Sequence, residues 1–149
     1  MLLESKGYKV TAAQIPLLSL QGDIEVTRRL LSEQPTPTVL VGHSYGGAVI
    51  TGAATATPQV KALVYITAFG LDEGESLESL ANQGPPSPGL TAIQPDSNGF
   101  LWINREKFHN SFAGDVTADE AAVMAAVQKP LGLAAFSGRV GNGLYIPAA

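Results

Sequence analysis

Gly42-His43-Ser44-Tyr45-Gly46 places a serine between two glycines at G-x-S-x-G spacing, and Gly47 follows directly. That spacing is the signature of a nucleophile elbow. A strand must turn sharply into a helix, with the serine at the apex in a strained backbone conformation. The glycines two before and two after leave room where the helix crosses close to the strand. The turn also puts Ser44 at a helix N-terminus. There the Tyr45 backbone N–H and the helix dipole face an oxyanion forming on a bound carbonyl. The chemistry implied is attack of the Ser44 hydroxyl on a carbonyl carbon, giving an acyl-enzyme that water then hydrolyses.

In a chain with 16 glycines the bare pattern is a weak signal. The alternative is a Gly-rich strand-to-helix turn with an incidental serine. Context sharpens the nucleophile reading: an apolar, β-branched run, Thr38-Val39-Leu40-Val41, stands directly before, and an Ala-rich stretch directly after. A phosphate-binding turn is excluded, because the P-loop lysine and a third glycine at dinucleotide-fingerprint spacing are both absent.

A serine hydroxyl needs a base to take its proton. The chain has two histidines, His43 and His109. His43 adjoins Ser44 and points away from it across the turn, as a packed or hydrogen-bonding residue behind the elbow. His109 is the base by elimination; its other reading is a partly exposed side chain outside the site. Asp72 lies just past the strand that follows the elbow and is a candidate acid. Its other reading is a turn residue in a solvated acidic segment with Glu73 and Glu75. Phe100, Trp102, Phe108 and Phe112 either line an apolar pocket or form a small core of their own. No Arg or Lys lies near the elbow in sequence, which favours a neutral substrate.

The elements that must hold these residues follow from periodicity. Residues 8–15 are apolar or β-branched with partial alternation and read as a short strand before Pro16. A helix begins between Ser19 and Asp23, with Leu20, Ile24, Thr27 and Leu31 on one face, and the run Gln34-Pro35-Thr36-Pro37 breaks it. Strands are expected over 38–41 and 60–69, with a helix over 48–57 between them. Strand, helix, strand, helix, strand implies a parallel sheet with crossover helices. Near the start, Leu2 to Lys6 reads as a helix end stopped by Gly7. Further on, residues 84–89 (GPPSPG) exclude regular structure, and Thr117-Ala118-Asp119-Glu120 is a capping box for a helix to about Lys129.

Composition closes off other classes. Of the 149 residues, 45% are hydrophobic and 15% charged, enough apolar material for a core. The net charge of −4 gives no footprint for nucleic acid or an anionic membrane. Without cysteine there is no disulfide, thiolate metal site or Cys nucleophile, and two histidines do not make a His-rich metal site. No apolar run reaches the roughly 18 residues of a membrane span. No signal peptide opens the chain, so a cytoplasmic protein is expected.

GHSYGGAVI after TVLV, with ALVYITAF next, resembles the α/β-hydrolase superfamily. The likeness is to its small bacterial esterase and hydroxynitrile-lyase-like branch. GYKVTAAQIPL, AFGLDEGES, PPSPGL, DSNGFL and EKFHNSFAGD also resemble segments of that branch, over about residues 1–136. The resemblance implies a Ser–Asp–His triad, no cofactor, and hydrolysis of small esters or related carbonyl compounds. It implies a partial hydrolase core with about three parallel strands over 1–70, a mostly helical cap over 71–135, and a weakly specified tail over 136–149. The first three strands of the family fold, the loop giving a second oxyanion N–H, and the usual acid and histidine have no counterpart here, so the chain reads as cut at both ends. Two alternatives stand beside a serine esterase: a non-catalytic homologue that binds a small apolar ligand, and a cyanohydrin lyase.

In such a sheet the strands at 8–15 and 38–41 are not neighbours. Either they pair directly, or they leave unpaired edges that invite association with another chain.

Overall fold

The computed structural model describes residues 2–34, 37–85 and 87–141. Pro35, Thr36, Pro86 and the tail from 142 onward therefore lie outside the described residues. A 3-10 turn, Glu4–Lys6, opens the chain and ends at Gly7, whose φ of +85 lets its N–H close on the Glu4 carbonyl. Residues 8–15 belong to neither sheet among the described residues.

Helix α1, Leu20–Ser32, starts at Ser19, whose hydroxyl accepts from the Gly22 N–H. Its apolar face buries Leu20, Ile24 and Leu31, as the spacing requires. Asp23, in its first turn, faces inward and is fully buried. Strand β1, Thr38–Ser44, leads into helix α2, Gly46–Ala54, and then strand β2, Val60–Ala68. Every residue of α2 from Gly47 to Ala54 is buried, which its small side chains permit. Arg28 of α1 donates to the Gly52 and Thr55 carbonyls, so a cation sits where the α2 dipole is negative.

β1 and β2 are parallel and in register from Val39 opposite Ala62 to His43 opposite Ile66. The parallel sheet has two strands, against the three expected. Residues 8–15 join no strand ladder among the described residues, and Tyr8 and Ala12 to Gln14 are exposed. Of the two outcomes, direct pairing or open edges, the second holds among the described residues.

One face of this sheet packs on the helices. Leu40 and Leu63 join the core with Ala48, Val49 and Ala53. The opposite face carries Val39, Val41, His43, Val64 and Ile66, and all five are exposed, Val41 at 54% and Ile66 at 52%.

Beyond β2 come helix α3, Leu77–Ala81, helix α4, Pro88–Thr91, strand β3, Ile93–Pro95, strand β4, Phe100–Ile103, helix α5, Phe108–Phe112, and helix α6, Ala118–Val127. Strand β5, Leu131–Gly132, and helix α7, Leu133–Phe136, complete the described elements. Helix α6 has the expected Thr117–Glu120 capping box. The antiparallel sheet β3-β4-β5 was not anticipated, because strands of two to four residues leave almost no periodic signal. Residues 84–89 also differ from expectation. Ser87 caps α4 and Pro88 occupies its first turn, the one helical position where a missing N–H costs nothing. A second, smaller core gathers Phe108, Ala113, Ala121 and Ala125.

Candidate functional site

Ser44 ends β1 with φ of +51, a left-handed conformation that costs a non-glycine residue about 1–2 kcal/mol. The chain reverses from strand to helix within one residue, Tyr45, which already has helical angles of −52 and −31. The Tyr45 N–H has no acceptor among the described residues. It stands at the N-terminus of α2 beside the serine.

The glycines around the turn divide unexpectedly. A β-carbon on Gly42 would meet Gly46 O at 2.5 Å and Gly47 N at 2.8 Å. One on Gly47 would meet Phe69 O at 2.5 Å. One on Gly46 would meet nothing within 4 Å. So Gly42 and Gly47 permit the close strand–helix crossing, while Gly46 is the residue crossed.

The partner strand adapts to the turn. Ile66 pairs with His43 but Ala68 pairs with Ser44, so Thr67 is an extra residue, with φ of +43. Such a bulge bends the strand beside the serine. The Phe69 N–H then donates to the Ser44 carbonyl at 3.1 Å.

Tyr45 is anchored from within. Its phenol donates to Asp23 Oδ2 at 2.6 Å, with the ring 7% exposed and Asp23 0% exposed. Burial, then the Asp23 hydrogen bond and charge, push the Tyr45 phenol far above the usual tyrosine range.

This combination of parallel strands, strained serine and following helix has relatives. The pattern of the alpha/beta hydrolase family matches residues 11–147. The chain belongs to the alpha/beta hydrolase family. It is 45% identical over 56 residues to a carbendazim hydrolyzing esterase of Nocardioides sp. (strain SG-4G), a match covering 37% of this chain and 23% of that protein. In fold it is similar to a pyrethroid hydrolase from Sphingobium faniae JZ-2, with TM-score 0.69 and 23% identity over 93% of this chain and 63% of the other. It is also similar to a methylesterase from Arabidopsis, with TM-score 0.68 and 18% identity over 91% of this chain and 59% of the other. The chain thus spans less than two thirds of these relatives.

The other expected site residues lie as follows. His43 projects from the bare sheet face, its ring edge-on to Phe112 at 6.3 Å between centroids. It lies on the sheet face opposite α1 and α2, and Phe112 brings α5 against the strand that ends in Ser44. His109 is half-buried, with Nε2 at 3.0 Å from the Val116 carbonyl. It lines a cleft of about 150 Å³ with Arg105 and four alanines of α6. Asp72 is exposed, and its backbone N–H donates to Glu75 Oε2. Among the described residues no hydrogen bond joins Ser44 to His109 or Asp72. The aromatics separate by role. Phe108 belongs to the smaller core, Trp102 donates to Asp96 Oδ2, and Phe112 is exposed beside His43.

Sequence reasoning missed Asp23 and Thr67. The helical period puts Asp23 beside Ile24 and Thr27 on the buried face, which was the available signal. Nothing in the sequence marks the Thr67 bulge. Among the described residues no cluster of His, Cys, Asp and Glu can hold a metal ion, and no helix is long and apolar enough to cross a membrane.

Proposed function

We propose that this chain carries the nucleophile of a serine esterase acting on small, neutral carboxylic esters. The observation that carries the proposal is the Ser44 φ of +51 between β1 and the N-terminus of α2. A non-glycine residue held there at a cost is the mark of an elbow that presents its side chain. The esterase relative at 45% identity supports the substrate class.

In the proposed reaction Ser44 Oγ bonds to the ester carbon as its proton passes to a base. The Tyr45 N–H receives the oxyanion. The tetrahedral adduct collapses, the C–O bond to the alcohol breaks, and the alcohol leaves with the proton. Water then repeats the attack and frees the acid and Ser44. Within this chain the proposed base is His109 and the proposed acid Asp72. His109 has to release the Val116 carbonyl to serve. A cap position for 71–135 is supported by Phe112, which stands against His43. A cytosolic setting fits a chain without cysteine.

The separation of Ser44 from His109 and Asp72 favours a second reading, a non-catalytic homologue that keeps the elbow. A fluorophosphonate probe separates the two. Labelling that disappears in Ser44→Ala establishes an activated serine; a folded sample that takes no label sinks the esterase reading. Loss of labelling in His109→Ala, in a variant that still folds, assigns the base.

The open edge of β1 and the bare face beside it support self-association of the chain. Sedimentation at several concentrations tests this.

A further inference from the structure

Asp23 is the only charged side chain buried among the described residues, with 0% of its surface exposed. The proposed chemistry does not use it. A carboxylate is expensive to bury, so both of its oxygens need partners. Both have them. Oδ2 accepts from the Tyr45 phenol at 2.6 Å, and Oδ1 accepts from the Leu17 N–H at 2.9 Å. The charge also lies in the first turn of α1, where the helix dipole favours it.

The two partners belong to strained segments. Leu17 has φ of +65, a conformation leucine rarely adopts. Its carbonyl accepts from the Gly132 N–H at 2.8 Å, which ties β5 to the same loop. Tyr45 follows Ser44, whose own φ is +51. One carboxylate therefore joins the loop before α1, the elbow and, through Leu17, the antiparallel sheet.

The Tyr45 ring and the Tyr45 amide share a Cα. With the phenol fixed and Tyr45 buried, the Tyr45 Cα, and with it the start of α2, is pinned against α1. We propose that Asp23 is a positioning residue for Ser44: by holding the Tyr45 phenol it fixes the place of the Tyr45 Cα beside Ser44, and so where the Tyr45 N–H, the proposed oxyanion donor, stands. This rests on the esterase reading. Asp23 touches neither substrate nor the transferred proton, and it acts through Tyr45 alone.

The test uses Asp23→Asn, Tyr45→Phe and the double variant in the full chain. Two quantities are read: the rate of fluorophosphonate labelling of Ser44, and the amide ¹⁵N–¹H resonance of Tyr45 (at residue 45 in the variants). Labelling is compared at a temperature where each variant is folded by circular dichroism. A positioning role predicts labelling slowed about tenfold in each single variant, with the double variant no slower than the slower single, because both changes cut one link. It also predicts a shifted or broadened amide resonance. Unchanged labelling in folded single variants, or effects that multiply in the double variant, overturns the proposal. Should Asp23→Asn not fold, Tyr45→Phe alone decides by the same two readouts. If the wild-type chain takes no label, the esterase reading fails on its own. The amide resonance then judges Asp23: movement in the variants supports the positioning role and an unmoved resonance overturns it.

Discussion

A β-carbon on Gly42 would stand 2.5 Å from the carbonyl oxygen of Gly46, while a β-carbon on Gly46 would touch nothing within 4 Å. The two glycines of the motif therefore do different work. Gly42 must lack a side chain so that α2 can start directly over β1. Gly46 is the backbone that passes over it.

The asymmetry gives the first prediction. Gly42→Ala forces backbone against β-carbon and should cost about 1–3 kcal/mol, with slowed labelling of Ser44. Gly46→Ala enters the first turn of α2 with open space around it and should be neutral or stabilising by up to about 1 kcal/mol. Denaturant unfolding of the two variants checks this. Equal destabilisation would show that the motif glycines are sterically equivalent.

Tyr45 predicts an alkaline weakness. Its phenol is raised above the ordinary value of 10.0 in the folded chain by burial and by Asp23. The unfolded chain releases that proton above about pH 10 while the folded chain keeps it. Stability is thus full below pH 10 and falls as pH rises past it, by up to about 1.4 kcal/mol per unit from this group. Tyr45→Phe should be less stable at neutral pH but lose less on going from pH 9 to pH 11. Urea unfolding at the two pH values measures both quantities.

Asp96 predicts an acid response visible in Trp102. The Trp102 indole N–H donates to Oδ2, and the Phe100 and Asn98 N–H groups donate to Oδ1. These bonds, the Trp102 bond first, hold the Asp96 carboxyl below the usual aspartate range. Their contribution to the β3–β4 turn is present above the ordinary aspartate pKa and is lost as pH falls through the lowered value. Trp102 is the single tryptophan, so its fluorescence should titrate with a midpoint below that of a model aspartate. The transition should vanish in Asp96→Asn. A midpoint at or above the model value would contradict the hydrogen-bonded turn.

How much of this was legible beforehand depended on how local each signal is. The strained strand-to-helix turn at Ser44 was readable because such a turn must be written in adjacent residues, and Gly42, Ser44 and the runs on either side are contiguous. The caps at Ser19 and Thr117 were readable for the same reason. Residues 8–15 misled because a β-branched run states a tendency, and a strand exists only when a neighbour accepts its ladder. The Asp23–Tyr45 bond spans 22 positions, and no local pattern announces a pair so far apart. The role of Gly47, held against Phe69, was hidden in the same way.

The bare sheet face yields a prediction about solubility. Val41 and Ile66 are both more than half exposed on the sheet face opposite α1 and α2. Replacing each with lysine removes apolar surface without entering the packed core. The double substitution should lower the apparent mass in sedimentation if the chain self-associates through this face, with unfolding midpoints changed by less than about 1 kcal/mol. An unchanged concentration dependence would place the association elsewhere or nowhere.

The φ of Ser44 carries a cost in stability. At +51 an L-residue is strained, and the strain depends on having a β-carbon, not on the hydroxyl. Ser44→Ala should therefore leave stability nearly unchanged while abolishing labelling. Ser44→Gly removes the β-carbon clash, though a more flexible unfolded chain offsets part of the gain. A net stabilisation of about 0.5–1 kcal/mol over Ser44→Ala is expected. Thermal unfolding of the three proteins under one condition decides the matter. If Ser44→Gly is no more stable than Ser44→Ala, the turn is unstrained, and the strongest structural support for an activated serine is gone.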